Sequence, residues 1–405
     1  MQNDILNAHV AIVSHVPYTQ QNDTCYVNPV ECRILEIFTR CFKRATLVRP
    51  RVEYREGQKD WVRLPEHTDA RELRGPQDKY GALLNNLGLA PRRLADLLSD
   101  VDIVYGRLPS YEGWHAVRIA KRMNKHTIVS LHGDWAEAYS AEWRIGLKRI
   151  LRPFIVWRAD RIFRETTAQC DALFAVGEKL LERYAQNRTD FCVFANFLVE
   201  QRDIEEFRDT CQSKPCRLLF VGNISPRKGV IFLLEAVRLL RQGGRDICLT
   251  LVGEGTLLAK LKTEVARTEM SNAVEFAGRV PFGPRLWEYY KSHDIFILPS
   301  VASEGRPKVI MEAMAKSCPV IATRIGSVSG MIEQNHNGLL IQPGSSREIV
   351  QAVEFLLDNP KKRIAIIQNG LQSASNNTYE KQMGIVRDAL FSKFGHCFGT
   401  QISEQ

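Results

Sequence analysis

Two glutamates with seven residues between them, Glu304 and Glu312, offer the most pointed chemistry in the chain; they lie in IFILPSVASEGRPKVIMEAMA, residues 295–315. If both were helical they would stand about 12 Å apart at about 1.5 Å of rise per residue. That is too far to share a proton, so they do not form an acid/base dyad. Glu312 is set among Ile310, Met311, Ala313 and Met314, where a carboxylate needs hydrogen-bond donors to stay ionised. A vicinal diol would supply them. Glu304 stands in a polar corner, where it can meet neutral hydroxyls or a developing positive charge.

The elements that must position these groups are legible. Residues 295–298 form an apolar run stopped by Pro299, which reads as a buried strand. Pro307 suits the first position of a helix, and 309–315 is helix-forming. Such a strand-to-helix corner aims unpaired N–H groups and the positive end of the helix dipole at whatever lies in front, a place for a phosphate. Gly305, Arg306, Pro307, Lys308 and Val309 line it. The expectation is a nucleotide-sugar site with Glu312 on the ribose and Glu304 on the transferred sugar; the plain alternative is an ordinary helix bearing two solvated glutamates.

A second corner follows the apolar run 217–221. There Gly222-Asn223-Ile224-Ser225-Pro226-Arg227-Lys228-Gly229 precedes a helix over 230–242 and can bring N–H groups and two cations to a diphosphate. The strand 247–252 ends in Gly253-Glu254-Gly255, small enough for close approach of a ligand, and a further strand ends in Gly278-Arg279-Val280.

With these residues in view, the chain resembles the retaining GT-B glycosyltransferases of the fourth sequence family (glycosyl transferases group 1). S-x-x-x-E-G-x-P followed by E-A-M-A is similar to their E-x7-E signature. The Gly222 corner resembles their V-G-R-x-x-x-x-K-G motif: Lys228 is kept, Asn223 stands where arginine is usual, and Arg227 or Arg306 is expected to supply the charge. His132-Gly133-Asp134, after a strand at 126–131, resembles the position whose histidine contacts the donor sugar across the cleft; the plain alternative is a satisfied turn histidine. Relatives hold the base partly by backbone contacts at the position of Arg279 and Val280. Many also carry a glycine-rich turn after the first strand. Here residues 17–29 hold no glycine, and Tyr18 and Asp134 are the acceptor-side candidates.

The resemblance implies an α/β fold of GT-B type: two Rossmann-like doubly wound parallel sheets facing a central cleft. Their expected limits are 1–205 and 216–375, with 376–394 a helix crossing back to the first domain and 200–215 the linker. It implies transfer of a sugar, with retention, from a nucleoside diphosphate sugar to a hydroxyl on a saccharide or lipid-linked acceptor, in cell-surface polysaccharide or glycolipid assembly. No metal or other cofactor is expected: Lys228, a nearby arginine and helix N-termini would carry the phosphate charge, Glu304, His132 and Lys228 forming the catalytic set. The rival readings are a sugar phosphorylase or disaccharide-phosphate synthase, and a non-catalytic scaffold, which Asn223 and the missing glycines favour.

Composition agrees with this frame. A chain of 405 residues, 44% hydrophobic and 25% charged, suits two soluble domains. No apolar run approaches the roughly 20 residues of a membrane span, and MQNDILNAHV lacks the basic start of a signal peptide. Ten cysteines without a C-x-x-C pair read as reduced cytosolic thiols rather than a zinc site. The net charge of +9 is spread along the chain with no nucleic-acid reader motif, so nucleic acid is not the expected partner. Residues 141–165 interleave Arg144, Lys148, Arg149, Arg152, Arg158, Arg161 and Arg164 with Trp143, Phe154 and Trp157. They form a candidate interfacial helix pair for an anionic leaflet, or else a solvated basic face. A cytoplasmic protein, peripheral on the inner face of the membrane, is the expectation. Residues 51–78, polar and mixed in charge, read as a surface excursion.

Overall fold

The computed structural model describes residues 4–54, 61–73, 90–133, 148–185, 188–302 and 304–402. Two units emerge: Met1–Ala195 with Gln382–Gln405, and Asn196–Lys381.

Unit 1 runs β1 (Asp4–Val13), β2 (Thr19–Gln21), β3 (Thr24–Val27), α1 (Pro29–Thr39), β4 (Phe42–Arg49), β5 (Val62–Arg63), β6 (Thr68–Glu72), α2 (Ala90–Leu97), β7 (Ile103–Leu108), α3 (Tyr111–Arg122), β8 (His126–Leu131), α4 (Lys148–Gln169), β9 (Ala172–Val176), α5 (Glu178–Tyr184) and β10 (Phe191–Phe194). Its main sheet has the order β10-β9-β8-β7-β1-β4-β6, joined by parallel pairs, with a C-terminal strand, Thr400–Ile402, antiparallel on β1. Apolar clusters built on Leu108, Val129, Leu131, Phe163 and Leu173, and on Val13, Val48, Leu98, Val104 and Ala120, fill its core. Burial on both faces explains why the central strands read as unbroken apolar runs rather than alternating ones. Strand order reverses between β1 and β7.

Two sequence expectations change here. Within 51–78, β6 joins the main sheet at its edge and β5 joins β2 and β3 in a small antiparallel sheet. The TDARE sequence of β6 carries no apolar alternation because an edge strand can be polar on both sides. The glycine-free loop after β1 is also ordered as the β2–β3 hairpin. Its turn residues, Asn22 and Asp23, take φ of 42° and 45°, the left-handed backbone that a tight hairpin needs and that Asn and Asp tolerate.

Unit 2 runs β11 (Cys216–Val221), α6 (Val230–Gln242), β12 (Ile247–Val252), α7 (Leu258–Arg267), β13 (Val274–Gly278), α8 (Pro284–Ser292), β14 (Ile295–Leu298), α9 (Lys308–Ala315), β15 (Val320–Thr323), β16 (Leu339–Ile341), α10 (Ser346–Asp358) and α11 (Pro360–Asn376). Its sheet is parallel in the order β13-β12-β11-β14-β15-β16, reversing between β11 and β14. Phe220, Val237, Leu249, Ile297 and Ile321 are buried in its core.

The boundary falls at Ala195/Asn196 rather than at 205, and residues 200–215, expected as a linker, belong to unit 2. Several of their polar groups are held within unit 2. Lys316 Nζ donates to the Asp203 carbonyl and lies 3.1 Å from Glu205, Arg208 Nη2 donates to the His293 carbonyl at 2.8 Å, and Arg363 grips Asp209 at 2.9 and 3.1 Å. The C-terminal helix, Tyr379–Phe398, belongs to unit 1 from Gln382 onward. There Gln382 Oε1 accepts from the Ala195 N–H at 2.6 Å, and Phe394 meets His126 edge-on at 5.7 Å between centroids.

Candidate functional site in unit 2

In a doubly wound sheet the ligand crevice opens beyond the strand ends where the order reverses. In unit 2 that point lies between β11 and β14, so the corner bearing Lys228 and the corner bearing Glu304 flank it. The two corners are laced by backbone. The Val301 N–H donates to the Arg227 carbonyl at 2.8 Å, and a Cβ on Gly229, whose φ is +64°, would sit 2.0 Å from the Pro299 carbonyl oxygen. Only glycine allows that approach.

This lacing places Lys228 Nζ 2.7 Å from Glu304 Oε1, and the hydroxyl of the buried Ser300 donates to the same oxygen at 2.7 Å. Ser300 is itself fixed, since its carbonyl accepts from Thr323 Oγ1 at 2.6 Å, and the Ser327 N–H donates to the Glu304 carbonyl at 3.0 Å. The ammonium has three N–H donors, so it can hold Glu304 and a phosphate oxygen together. Neither α6 nor α9 has a side-chain cap at its N-terminus. Pro307 serves as the N-cap of α9, and Lys308 is its first residue.

Glu312 is 4% exposed. Its Oε2 accepts from the buried Tyr290 hydroxyl at 2.8 Å. Burial pushes its carboxyl up to about 7, against the pull of the Tyr290 hydrogen bond and the Lys308 charge. Tyr290 is the site residue that the sequence does not mark, and Ser300 stands in the motif without an assigned role; the partner of each is identified only by the fold.

The glycines after β12 have a packing task that the sequence does not show. A Cβ on Gly253 would lie 1.9 Å from the Gly222 carbonyl oxygen and one on Gly255 2.3 Å from that of Ile224. Both glycines therefore admit the backbone of the neighbouring corner. Gly253→Ala should therefore displace the Gly222 corner and lower the melting temperature as well as activity; a wild-type melting curve would contradict that packing role.

Asn223, Arg227, Arg279 and Gly305 are exposed, while Gly222, Val280, Arg306 and Val309 are partly buried. In unit 1, His132 follows β8, and its Nε2 lies 3.0 Å from Ser130 Oγ and 3.2 Å from the Tyr105 hydroxyl. Tyr18, expected on the acceptor side, is 2% exposed, and burial raises its phenol to about 12. Asp134 lies outside the described residues.

Two sheets of this kind, each with its order reversing at the centre, define the GT-B fold. The Anabaena protein HepE in complex with UDP superimposes on 95% of this chain and 100% of its own, with a TM-score of 0.70 and 16% identity. Residues 201–373, less than half of the chain but spanning both corners, match the family model described as glycosyl transferases group 1. A D-inositol 3-phosphate glycosyltransferase of Pseudarthrobacter chlorophenolicus is 33% identical over 176 residues, 42% of this chain and 41% of that protein. An amylovoran biosynthesis glycosyltransferase of Erwinia amylovora is 33% identical over 141 residues, 34% of each. The chain spans less than half the length of these relatives.

Proposed function

We propose that the protein is a retaining glycosyltransferase that takes a sugar from a nucleoside diphosphate sugar bound at the β11/β14 crevice of unit 2. The observation that carries this reading is the Lys228–Glu304–Ser300 network at the reversal of strand order, with the buried Glu312 on the helix behind it. Lys228 and the uncapped starts of α6 and α9 supply positive charge where the leaving diphosphate gathers negative charge. Glu304 faces the sugar as positive charge develops at its anomeric carbon. Glu312 accepts from the ribose diol. His132 is proposed as a contact of the transferred sugar, and Arg227 or Arg306 as the replacement for the arginine absent at Asn223. Solved neighbours crystallised with UDP and UDP-glucose share the fold and make a uridine donor the first to try. The relatives' names, amylovoran biosynthesis among them, support a saccharide or lipid-linked acceptor in surface polysaccharide or glycolipid assembly.

The test is a panel of UDP-, GDP- and ADP-sugars with a membrane extract as acceptor source, run with and without EDTA and scored for nucleoside diphosphate release. One donor should turn over, equally in both conditions. Tight nucleotide binding without turnover on any acceptor would assign the protein to the non-catalytic scaffolds instead.

Glu312 gives this site a pH signature. With its carboxyl raised to about 7, it is protonated and a poorer acceptor at pH 6, and ionised at pH 8. Donor affinity should fall about tenfold between pH 8 and pH 6, as one group titrating near 7 requires. Glu312→Gln should flatten that dependence; an identical profile in the variant would exclude Glu312 from the donor. The same raised pKa means that burying this carboxyl favours the fold at low pH and that the contribution is lost as pH rises through about 7. A bound diol would restore part of it.

A peripheral membrane site belongs to the same proposal. Among the described residues no helix is long and apolar enough to cross a membrane. On α4, Trp157 is 55% exposed beside exposed Arg158, Arg161 and Arg164, the mix that suits an anionic interface. The ion pairs Arg161–Glu165 and Arg164–Asp160 offset part of this charge. Residues 141–147 lie outside the described residues. Liposome flotation should recover more protein with anionic lipid than without, and Trp157→Ala should reduce the difference; equal recovery would end the idea.

A further inference from the structure

Unit 1 has its own reversal of strand order, between β1 and β7, and so a second crevice of the type that takes ligands in open α/β sheets. Four neighbouring strands, β8, β7, β1 and β4, carry His132, Arg107, His15 and Arg49 at or just beyond their C-terminal ends. Glu31, in the first turn of α1, meets both arginines. Arg107 Nη1 donates to its two oxygens at 2.8 and 2.9 Å, and Arg49 Nη1 lies 2.9 Å from Oε1.

The charges in this cluster do not balance. Glu31 is 6% exposed and Arg49 1% exposed, so one carboxylate faces two guanidiniums largely away from water. A purely structural pair would need one of them. The Nε of Arg49 is buried without a hydrogen-bond partner among the described residues, and such a donor is costly to leave unmet. Burial pushes the Glu31 carboxyl upward, but the two guanidiniums outweigh it and hold it below its ordinary value. For His15, desolvation first and then the Arg107 charge lower the imidazole, which leaves it neutral near pH 7 and able to donate one hydrogen bond. Arg107 keeps 16% of its side chain exposed, so part of its fork reaches solvent.

We infer that this crevice binds an oxyanion, a phosphate or a carboxylate, carried by the acceptor substrate. Arg107 contacts it directly, His15 lies beside it, and the Arg49 charge stands behind. That the anion belongs to an acceptor rests on the glycosyltransferase reading; that an anion binds here rests on the cluster alone.

The experiment follows the imidazole resonances of His15, assigned with His15→Gln, in the full chain during titration with inorganic phosphate or glucuronate at saturating UDP. Either anion should give a saturable shift, and Arg107→Gln, which leaves Glu31 and Arg49 as a neutral pair, should weaken it about tenfold or more. Tighter phosphate points to a phosphorylated acceptor and tighter glucuronate to an acidic saccharide. If Arg107→Gln does not fold, Arg107→Lys keeps the charge but loses the fork and should still bind several-fold more weakly. No saturable shift with either anion, or unchanged affinity in the folded variant, overturns the inference. UDP binding measured on the same samples reports on the unit 2 reading separately.

Discussion

Glu304→Gln lowers kcat for sugar transfer by about 10²–10³-fold, the scale on which a preorganised electrostatic contact to a transition state acts. The substitution keeps the shape of the side chain and removes its charge. Oε1 of Glu304 holds the Lys228 ammonium and the Ser300 hydroxyl, each at 2.7 Å, so a glutamine oxygen there can still accept both hydrogen bonds and the corner keeps its geometry. What disappears is the negative charge proposed to face the sugar as it becomes cationic. Lys228, released from its ion pair, loses no affinity for diphosphate. Donor KM should therefore stay level or fall while kcat collapses, a split that steady-state kinetics reads directly. A rise in KM with kcat intact would make Glu304 a ground-state binding residue, and the mechanism would have to be rebuilt.

The second large effect is on stability. Glu31→Gln should destabilise the protein by about 3–5 kcal/mol, the range for removing one partner from a buried ion pair. Arg49 is 1% exposed, so screening by water does not soften the loss as it would for a surface pair. Both guanidiniums would then share a neutral amide. The double variant Glu31→Gln/Arg49→Met should recover much of the loss by removing the more deeply buried charge. Denaturant unfolding followed by a unit 1 probe measures both, and a single variant as stable as wild type would show that the cluster is not an energetic keystone of unit 1.

What the sequence disclosed and what it withheld follow from the same physics. Strands β11, β12, β14 and β15 were legible because a parallel strand covered on both faces is a short unbroken apolar run. The proline-stopped strand before Glu304 and the helix after it were equally plain. The contact between Lys228 and Glu304 was not, because those residues are 76 positions apart and meet only through the adjacency of β11 and β14. Residues 200–215 misled because charged side chains look alike whether they point into water or are gripped, as Asp209 is by Arg363. Gly253 is legible as a place of close approach; that the Gly222 backbone comes close to it required the fold. The Glu31–Arg49–Arg107 cluster joins a helix and two strands, and no local pattern marks it. Glu312 was recognisable as a carboxylate in need of donors; that Tyr290 is one of them required the fold.

A crystal structure of the complete chain with the donor that turns over in the panel puts the central claim to its most direct test. The account predicts a diphosphate lying against Lys228 and the start of α9, with both ribose hydroxyls within hydrogen-bond reach of Glu312 and the sugar beside Glu304. A nucleotide bound elsewhere, or bound here with its ribose turned away from Glu312, would contradict it.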